Sequence, residues 1–170
     1  MVMEFLKFTL IFCSLCGSFS PAFCDSFEAG MRAMERKHYA TAMRAWLRLA
    51  KDGVPQAENN VGHLYEEGYG VSQNYTKAME WYRKAAQKKL PEAQHNVGML
   101  YAQGYGVEKN DREAFKWFKK AADQELQDAQ YMVGLAYYQG KGVKLSFSNA
   151  KKYFKQSANK GFGEAQFMYS

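Results

Sequence analysis

The chain has 170 residues, of which 47% are hydrophobic, and it carries 23 lysines and arginines against 17 aspartates and glutamates. This hydrophobic fraction argues against a disordered chain, and the length suits one compact domain or a short array of repeats. The net charge of +6 either favours contact with acidic partners or simply keeps the protein soluble, and we predict no nucleic-acid partner.

Residues 1–24 differ from the rest of the chain. An apolar run over 5–16 is too short for a comfortable membrane span. Small residues follow it, as in a secretory signal peptide, and cleavage after Ala22 or Cys24 satisfies the small-residue rule. We therefore predict a signal peptide at 1–24 and a periplasmic or secreted protein, with no stable membrane span after cleavage.

An uncleaved N-terminal anchor is the alternative for this leader. Glu4 offsets Lys7, so the positive charge before the apolar run is weak for a signal peptide. Cys13, Cys16 and Cys24 all lie within the leader, so the rest of the chain has no thiol for a disulfide or a thiolate metal site. A cysteine-free mature chain suits an oxidising compartment.

A 36-residue period runs through the remaining sequence. The residues that recur with this step are Ala57, Ala93, Ala129 and Ala165; Gly62, Gly98 and Gly134; Tyr65, Tyr101 and Tyr137; and Ala78, Ala114 and Ala150. A Gly-x-Gly-Val turn begins at Gly68, Gly104 and Gly140 with the same step. A fixed period of this length indicates an array of supersecondary units, none of which can bury its apolar face alone.

Each unit predicts two amphipathic helices. In the first unit, Ala57, Val61 and Leu64 fall on one face of a helix that ends at the Gly-x-Gly turn. Gly62 lies beside that face, and its recurrence predicts a point where two helices approach too closely for a Cβ. The second helices begin after residues that suit an N-cap, namely Asn74, Asn110 and Ser146.

The period divides the chain into consecutive units. They are an N-terminal tetratricopeptide-like helix pair at 25–53, repeat 1 at 54–89, repeat 2 at 90–125, repeat 3 at 126–161 and the start of a truncated repeat 4 at 162–170. The spacing predicts a loop four residues shorter in the N-terminal pair. Whether the last stretch is a short cap or belongs to a longer array stays open.

The repeated pattern reads Ala-x3-Val-Gly-x2-Tyr-x2-Gly-x-Gly-Val, followed by Lys-Ala-x2-Trp-Tyr-x2-Ala-Ala. It resembles the Sel-1-like repeat family over about residues 54–169. The resemblance implies an all-α fold, a right-handed α-solenoid of antiparallel helix pairs whose first helices line the concave face. It also implies a scaffold or adaptor for protein–protein interaction, of a type that many bacteria secrete for envelope processes or host interaction.

Two departures from the family stand out. The family often has glycine after the second helix; Gly53 and Gly161 keep it, but Lys89 and Glu125 replace it, which predicts strain of about 1 kcal/mol at each. One secreted branch of the family is cysteine-rich, with penicillin-binding or β-lactamase activity. This chain lacks those cysteines in its repeats.

That branch suggests the alternative function, a penicillin-recognising hydrolase. Ser148 with Lys151, and Ser157 with Lys160, match the Ser-x-x-Lys element of such enzymes. The accompanying Ser-Asp-Asn and Lys-Thr-Gly elements do not occur. We therefore predict an exported, non-catalytic scaffold.

Metal and cofactor motifs are also missing from the sequence. None of the three histidines has a histidine or cysteine at i+3 or i+4, and Gly-x-Gly follows a helix instead of a strand. The predicted function uses no metal and no cofactor.

Partner binding is predicted on the face of the first helices that remains after the core is assigned. These residues, termed the first-helix face, are Asn59, His63, Glu66, His95, Met99, Tyr131, Leu135 and Tyr138. On a concave side they would form a groove for a protein or peptide that becomes more apolar toward the C-terminus. The alternative for Leu135 and Tyr138 is packing against a following unit.

Overall fold

The computed structural model describes residues 21–158, and all secondary structure in that range is α-helical. The eight helices are α1 (Pro21–Glu35), α2 (Tyr39–Lys51), α3 (Pro55–Glu67), α4 (Tyr75–Gln87), α5 (Pro91–Gln103), α6 (Asp111–Asp123), α7 (Gln127–Gln139) and α8 (Phe147–Ala158). Each helix packs mainly against the helices that precede and follow it, so the chain forms a stack of four helix pairs. Residues 1–20 of the predicted signal peptide and the predicted fourth repeat lie outside the described range.

The ends of the helices follow the predicted local chemistry. Pro55 opens α3 at a position that needs no N–H, and α3 ends at Gly68 with φ of 73°. The side chain of Asn74 accepts a hydrogen bond from the backbone of Lys77 and caps α4. Asn110 caps α6 in the same way, so the predicted caps and the glycine stop are confirmed.

The predicted close approach of helices at the recurring glycine is also confirmed. A Cβ built at Gly62 would lie 2.7 Å from the ring of Tyr82 on the following helix, well inside van der Waals contact. The equivalent glycine–ring pairs are Gly98 with Phe118, Gly134 with Phe154 and, in the N-terminal pair, Gly30 with Trp46. In each pair, an aromatic ring lies where a larger side chain would clash.

The loops differ between the N-terminal pair and the repeats. Three residues, 36–38, join α1 to α2, whereas seven residues, 68–74, join α3 to α4. The first two of these longer turns carry a tyrosine, which reaches back to the preceding pair. Tyr69 stacks on Tyr39 with ring centroids 4.4 Å apart. In the next repeat, the ring of Tyr105 packs on that of Tyr75, with ring centroids 4.6 Å apart. These two turns therefore contribute to the contacts between units.

The predicted strain after two of the second helices has a structural counterpart. Lys89 and Glu125 have φ of 65° and 66°, in the left-handed region where a side chain is disfavoured, while Gly53 occupies the equivalent position with φ of 85°.

We expect Lys89→Gly to raise the free energy of unfolding by about 0.5–1 kcal/mol, because relief of the left-handed conformation exceeds the entropic cost of glycine. Glu80→Gly, at an exposed position in the middle of α4, is the matched control and should lower it by about 1 kcal/mol. Urea denaturation measures both. Destabilisation of equal size by the two variants would contradict the strain.

Candidate functional site

The first-helix face is assembled from α3, α5 and α7. Adjacent first helices touch through polar side chains, since the Asn96 amide donates a hydrogen bond of 3.0 Å to Asn59. Asn96 follows His95 on α5 and was not among the predicted site residues. This bond joins repeats 1 and 2 at the level of the face.

The face is polar and acidic where it begins on α3. Ligand atoms of His63, Glu66 and Glu67 lie within 4.8 Å of one another. The Tyr82 hydroxyl donates a hydrogen bond of 2.5 Å to Glu66, and burial, helped by the charge of Glu66, raises the pKa of Tyr82. Glu66 and Glu67 lie at i+3 and i+4 of His63, where a carboxylate can serve as a ligand as well as the histidine or cysteine on which the metal prediction was based. The cluster suits contact with a basic group, with one carboxylate of the pair already engaged.

The side chain of His95 is largely enclosed by its neighbours, although a residue that binds a partner in a groove would be expected to be accessible. Its ring lies 5.4 Å from that of Phe118, and its Nδ1 is buried without a hydrogen-bond partner among the described residues. Burial lowers the pKa of His95, and the charge of Asp128 opposes this only in part. The side chain therefore stays neutral and packs on an aromatic ring of the core.

This burial predicts a pH-dependent stability. The folded state holds His95 with a pKa below its ordinary value of 6.5, so the unfolded chain binds the proton more readily. The free energy of unfolding should therefore fall as the pH drops through that ordinary value. We expect the melting temperature to decrease between about pH 7.5 and about pH 5.5.

A matched pair of variants isolates the histidine responsible. His95→Gln should remove much of the decrease, whereas His38→Gln, at an exposed histidine, should preserve it. Calorimetry at the two pH values measures the change. An unchanged decrease in His95→Gln would assign the pH dependence to other groups.

The face becomes apolar along α5 and α7. Met99 is partly buried against the core cluster that contains Phe118 and Val133, and the ring of Tyr131 lies 5.6 Å from that of Phe154. Tyr138 is 47% exposed and contacts the still more exposed Phe147. At the C-terminal end of the face, the exposed aromatic surface is therefore that of Tyr138 beside Phe147.

Charge is separated between the first and second helices. The first helices are all net acidic, at −2 for α1, −3 for α3 and −1 each for α5 and α7. The second helices are all net basic, at +3 for α2, +2 for α4, +1 for α6 and +3 for α8. The positive surplus of the chain thus lies on the second helices and in the loops, away from the first-helix face.

The two serines of the Ser-x-x-Lys matches occupy different environments. Ser157 is fully buried, and its hydroxyl donates a hydrogen bond of 3.0 Å to the carbonyl oxygen of Gln127. This serine takes the place of a core alanine, out of reach of a substrate, and Lys160 lies outside the described residues. Ser148 is exposed in the first turn of α8.

Membrane crossing requires a long apolar helix, and none of the helices within residues 21–158 has both the length and the apolar character.

Known proteins share both the pattern and the architecture. The family model for the Sel1 repeat matches residues 55–90, 91–126 and 127–162, each beginning one residue later than our predicted repeats. No curated protein sequence matches the chain.

Among solved structures, a protective antigen of uropathogenic Escherichia coli is 36% identical, with a TM-score of 0.79 over 82% of this chain and 31% of its own. A Sel1 repeat protein from Oxalobacter formigenes is 32% identical, with a TM-score of 0.80 over 84% of this chain and 59% of its own. Helicobacter pylori cysteine rich protein B is 22% identical, with a TM-score of 0.56, and shows the fold alone.

The chain therefore covers less than two thirds of the first two of these structures. The matched repeats extend over more than half of the sequence, and the spacing of the helices agrees with them. The predicted resemblance and the all-α solenoid are confirmed, and the chain belongs to the Sel1 repeat family.

Proposed function

We propose that this chain is an exported, non-catalytic scaffold that binds an extended segment of a partner protein along its first-helix face. Sel1 repeats mediate protein interactions in general. The observation that carries the proposal is the continuity of the face across three first helices, with the Asn59–Asn96 hydrogen bond joining two of them.

The gradient of polarity defines the chemistry of the partner. Glu66 and Glu67 lie at the α3 end, and Leu135 and Tyr138 lie at the α7 end. Packed helices are about 8–10 Å apart, so the two ends are separated by about 20 Å. An extended chain advances about 3.3 Å per residue, so a segment with a basic residue about six positions from an apolar residue would match both ends.

Two features support a role without catalysis. The buried hydroxyl of Ser157 is committed to a backbone carbonyl, and the penicillin-recognising elements that would accompany Ser148 are missing from the sequence. Purified protein should therefore hydrolyse nitrocefin no faster than its Ser148→Ala variant. Turnover that this variant abolishes would instead support the hydrolase.

Site-specific photo-crosslinking in the native cell tests the binding face. A photoreactive amino acid at Tyr138 or Met99 should capture the same protein, because both positions lie on the first-helix face. The same group at Ser148, exposed on α8, is the matched control and should capture little of it. Equal capture from all three positions, or capture only from Ser148, would contradict the proposed face.

Export is proposed from the leader at 1–24, its small residues near Ala22 and the cysteine-free repeats. N-terminal sequencing of protein from the periplasm or medium should find cleavage after Ala22 or Cys24. Intact Met1 in a membrane fraction would contradict cleavage and would show that the protein is anchored by its leader.

A further inference from the structure

A cleft lies at the junction between repeats 2 and 3, where α5, α6 and the first helix of repeat 3 meet. Its volume is about 220 Å³. The apolar part of its wall consists of Ala102, Ala114, Phe115, Phe118, Met132, Leu135 and Ala136. Leu135 belongs both to this wall and to the first-helix face, so the cleft adjoins the proposed binding surface.

The repeat period explains why this junction is open. Every residue of the cleft has a counterpart 36 positions earlier, at the junction between repeats 1 and 2. Five exchanges remove volume or a polar contact: Ala102 for Glu66, Asp111 for Tyr75, Phe118 for Tyr82, Ala136 for Leu100 and Lys141 for Tyr105. Two exchanges in the wall add volume, namely Phe115 for Met79 and Met132 for Asn96.

The larger counterparts contact one another at the earlier junction. The hydroxyl of Tyr82 donates to Glu66, Tyr105 packs on Tyr75 with ring centroids 4.6 Å apart, and Leu100 is buried. At the later junction, the alanines and the phenylalanine cannot make these contacts, and the space between the helices is left over.

The size and lining of the cleft restrict its occupant. Pockets for cofactors and drug-sized ligands have about 300–1,000 Å³, whereas a cavity of about 150 Å³ lined by aliphatic and aromatic side chains already holds benzene. One aromatic or branched aliphatic side chain therefore fits. The charged residues that line the cleft are exposed Lys109 and Lys141 and a single carboxylate, Asp111, so the surplus charge there is positive.

We propose that this cleft is an anchor site for one aromatic or branched aliphatic side chain of a protein segment that carries an acidic residue beside it. The inference rests on the proposed function and adds to it a specific subsite. The ammonium groups of Lys109 and Lys141 would attract the neighbouring carboxylate, and the apolar wall would cover the side chain.

The test uses a small probe instead of the natural partner. The full chain carries ¹³C-labelled methionine methyl groups and is titrated with the capped tripeptide Ac-Asp-Phe-Gly-NH₂ at millimolar concentrations. The methyl resonance of Met132, in the cleft wall, should shift saturably, while those of Met43 and Met79, buried in earlier units, should not. Ac-Asp-Gly-Gly-NH₂ should cause no saturable shift, and Ac-Lys-Phe-Gly-NH₂ should bind several-fold more weakly than the acidic probe.

Filling the cleft gives the decisive variants. One variant is Ala136→Leu alone, and the other combines it with Ala102→Glu and Phe118→Tyr. Each restores residues found at the earlier junction, and each should weaken probe binding at least tenfold. Ser148→Ala is the control and should leave probe binding unchanged. Circular dichroism establishes that each variant is folded, and the single variant serves if the triple one is not. No shift of Met132 in the wild type, or an equal shift in a folded filled variant, would overturn the anchor site. The proposed function could still hold in that case, since crosslinking at Tyr138 tests it separately.

Discussion

Replacing Gly106 by alanine is expected to lower the free energy of unfolding by about 3–5 kcal/mol. Gly106 has φ of 68°, and a Cβ there would lie 2.5 Å from the carbonyl carbon of Tyr75 and 2.6 Å from the backbone nitrogen of Thr76. Both atoms belong to the first turn of a helix in the preceding repeat. Backbone in a packed helix cannot move aside as a flexible side chain can, so the contact between the two repeats must open.

Gly104→Ala is the matched control for this variant, two residues earlier in the same turn. Its φ is 76°, but the nearest atom to an added Cβ is the Cβ of Lys109, at 3.1 Å. The conformational cost of about 1–2 kcal/mol should apply to both variants, and the clash only to Gly106→Ala. Urea denaturation of the two proteins measures the difference. Equal losses would mean that the turn does not hold the repeats together.

The helices and their ends could be predicted from the sequence because each depends on residues close together in the chain. The recurrence of Gly62 even identified a close helix contact. Its partner, the ring of Tyr82, lies 20 positions on and recurs with the same period. In a repeat array, a contact between the two helices of a unit recurs in every unit and so appears as a periodic pair of residues. Periodicity therefore carries tertiary information as well.

The site was less predictable because it lies where the repeats differ. The hydrogen bond that Asn96 donates to Asn59 joins residues with no shared pattern. The packing of His95 on Phe118 recurs as Tyr131 on Phe154, but the change from histidine to tyrosine hides it in the sequence. The cleft at the later junction depends on the summed volume of side chains from three helices. A helical face derived from spacing alone assigns each residue a direction, but not the depth at which its neighbours enclose it.

The second large effect is expected at an ion pair of repeat 1 with a buried carboxylate, at the junction of this repeat with the N-terminal pair. Lys88 Nζ lies 2.6 Å from Glu58 Oε1, whose side chain is only 4% exposed, and it also donates to the carbonyl oxygen of Gly53 at 2.7 Å. In the next repeat, the same two positions hold Gln94 and Gln124, joined by a hydrogen bond of 2.9 Å. The protein therefore contains both an ionic and a neutral version of one contact.

Lys88→Gln should lower the free energy of unfolding by about 2–4 kcal/mol, because it leaves the buried carboxylate of Glu58 without its counter-ion. Partial solvent access of Lys88 favours the lower end of this range. Glu58→Gln should cost less, about 1–2 kcal/mol, because the freed ammonium group can reach water. The double variant rebuilds the glutamine pair of the next repeat, and it should unfold within about 1 kcal/mol of the wild type.

Urea denaturation of the four proteins completes the double-mutant cycle and gives the coupling energy between the two positions. Losses that simply add in the double variant would show that the pair is not coupled. A stable double variant would show that hydrogen-bond complementarity, and not charge, is what this junction requires, since Gln94 and Gln124 meet the same need one repeat later without an ion pair.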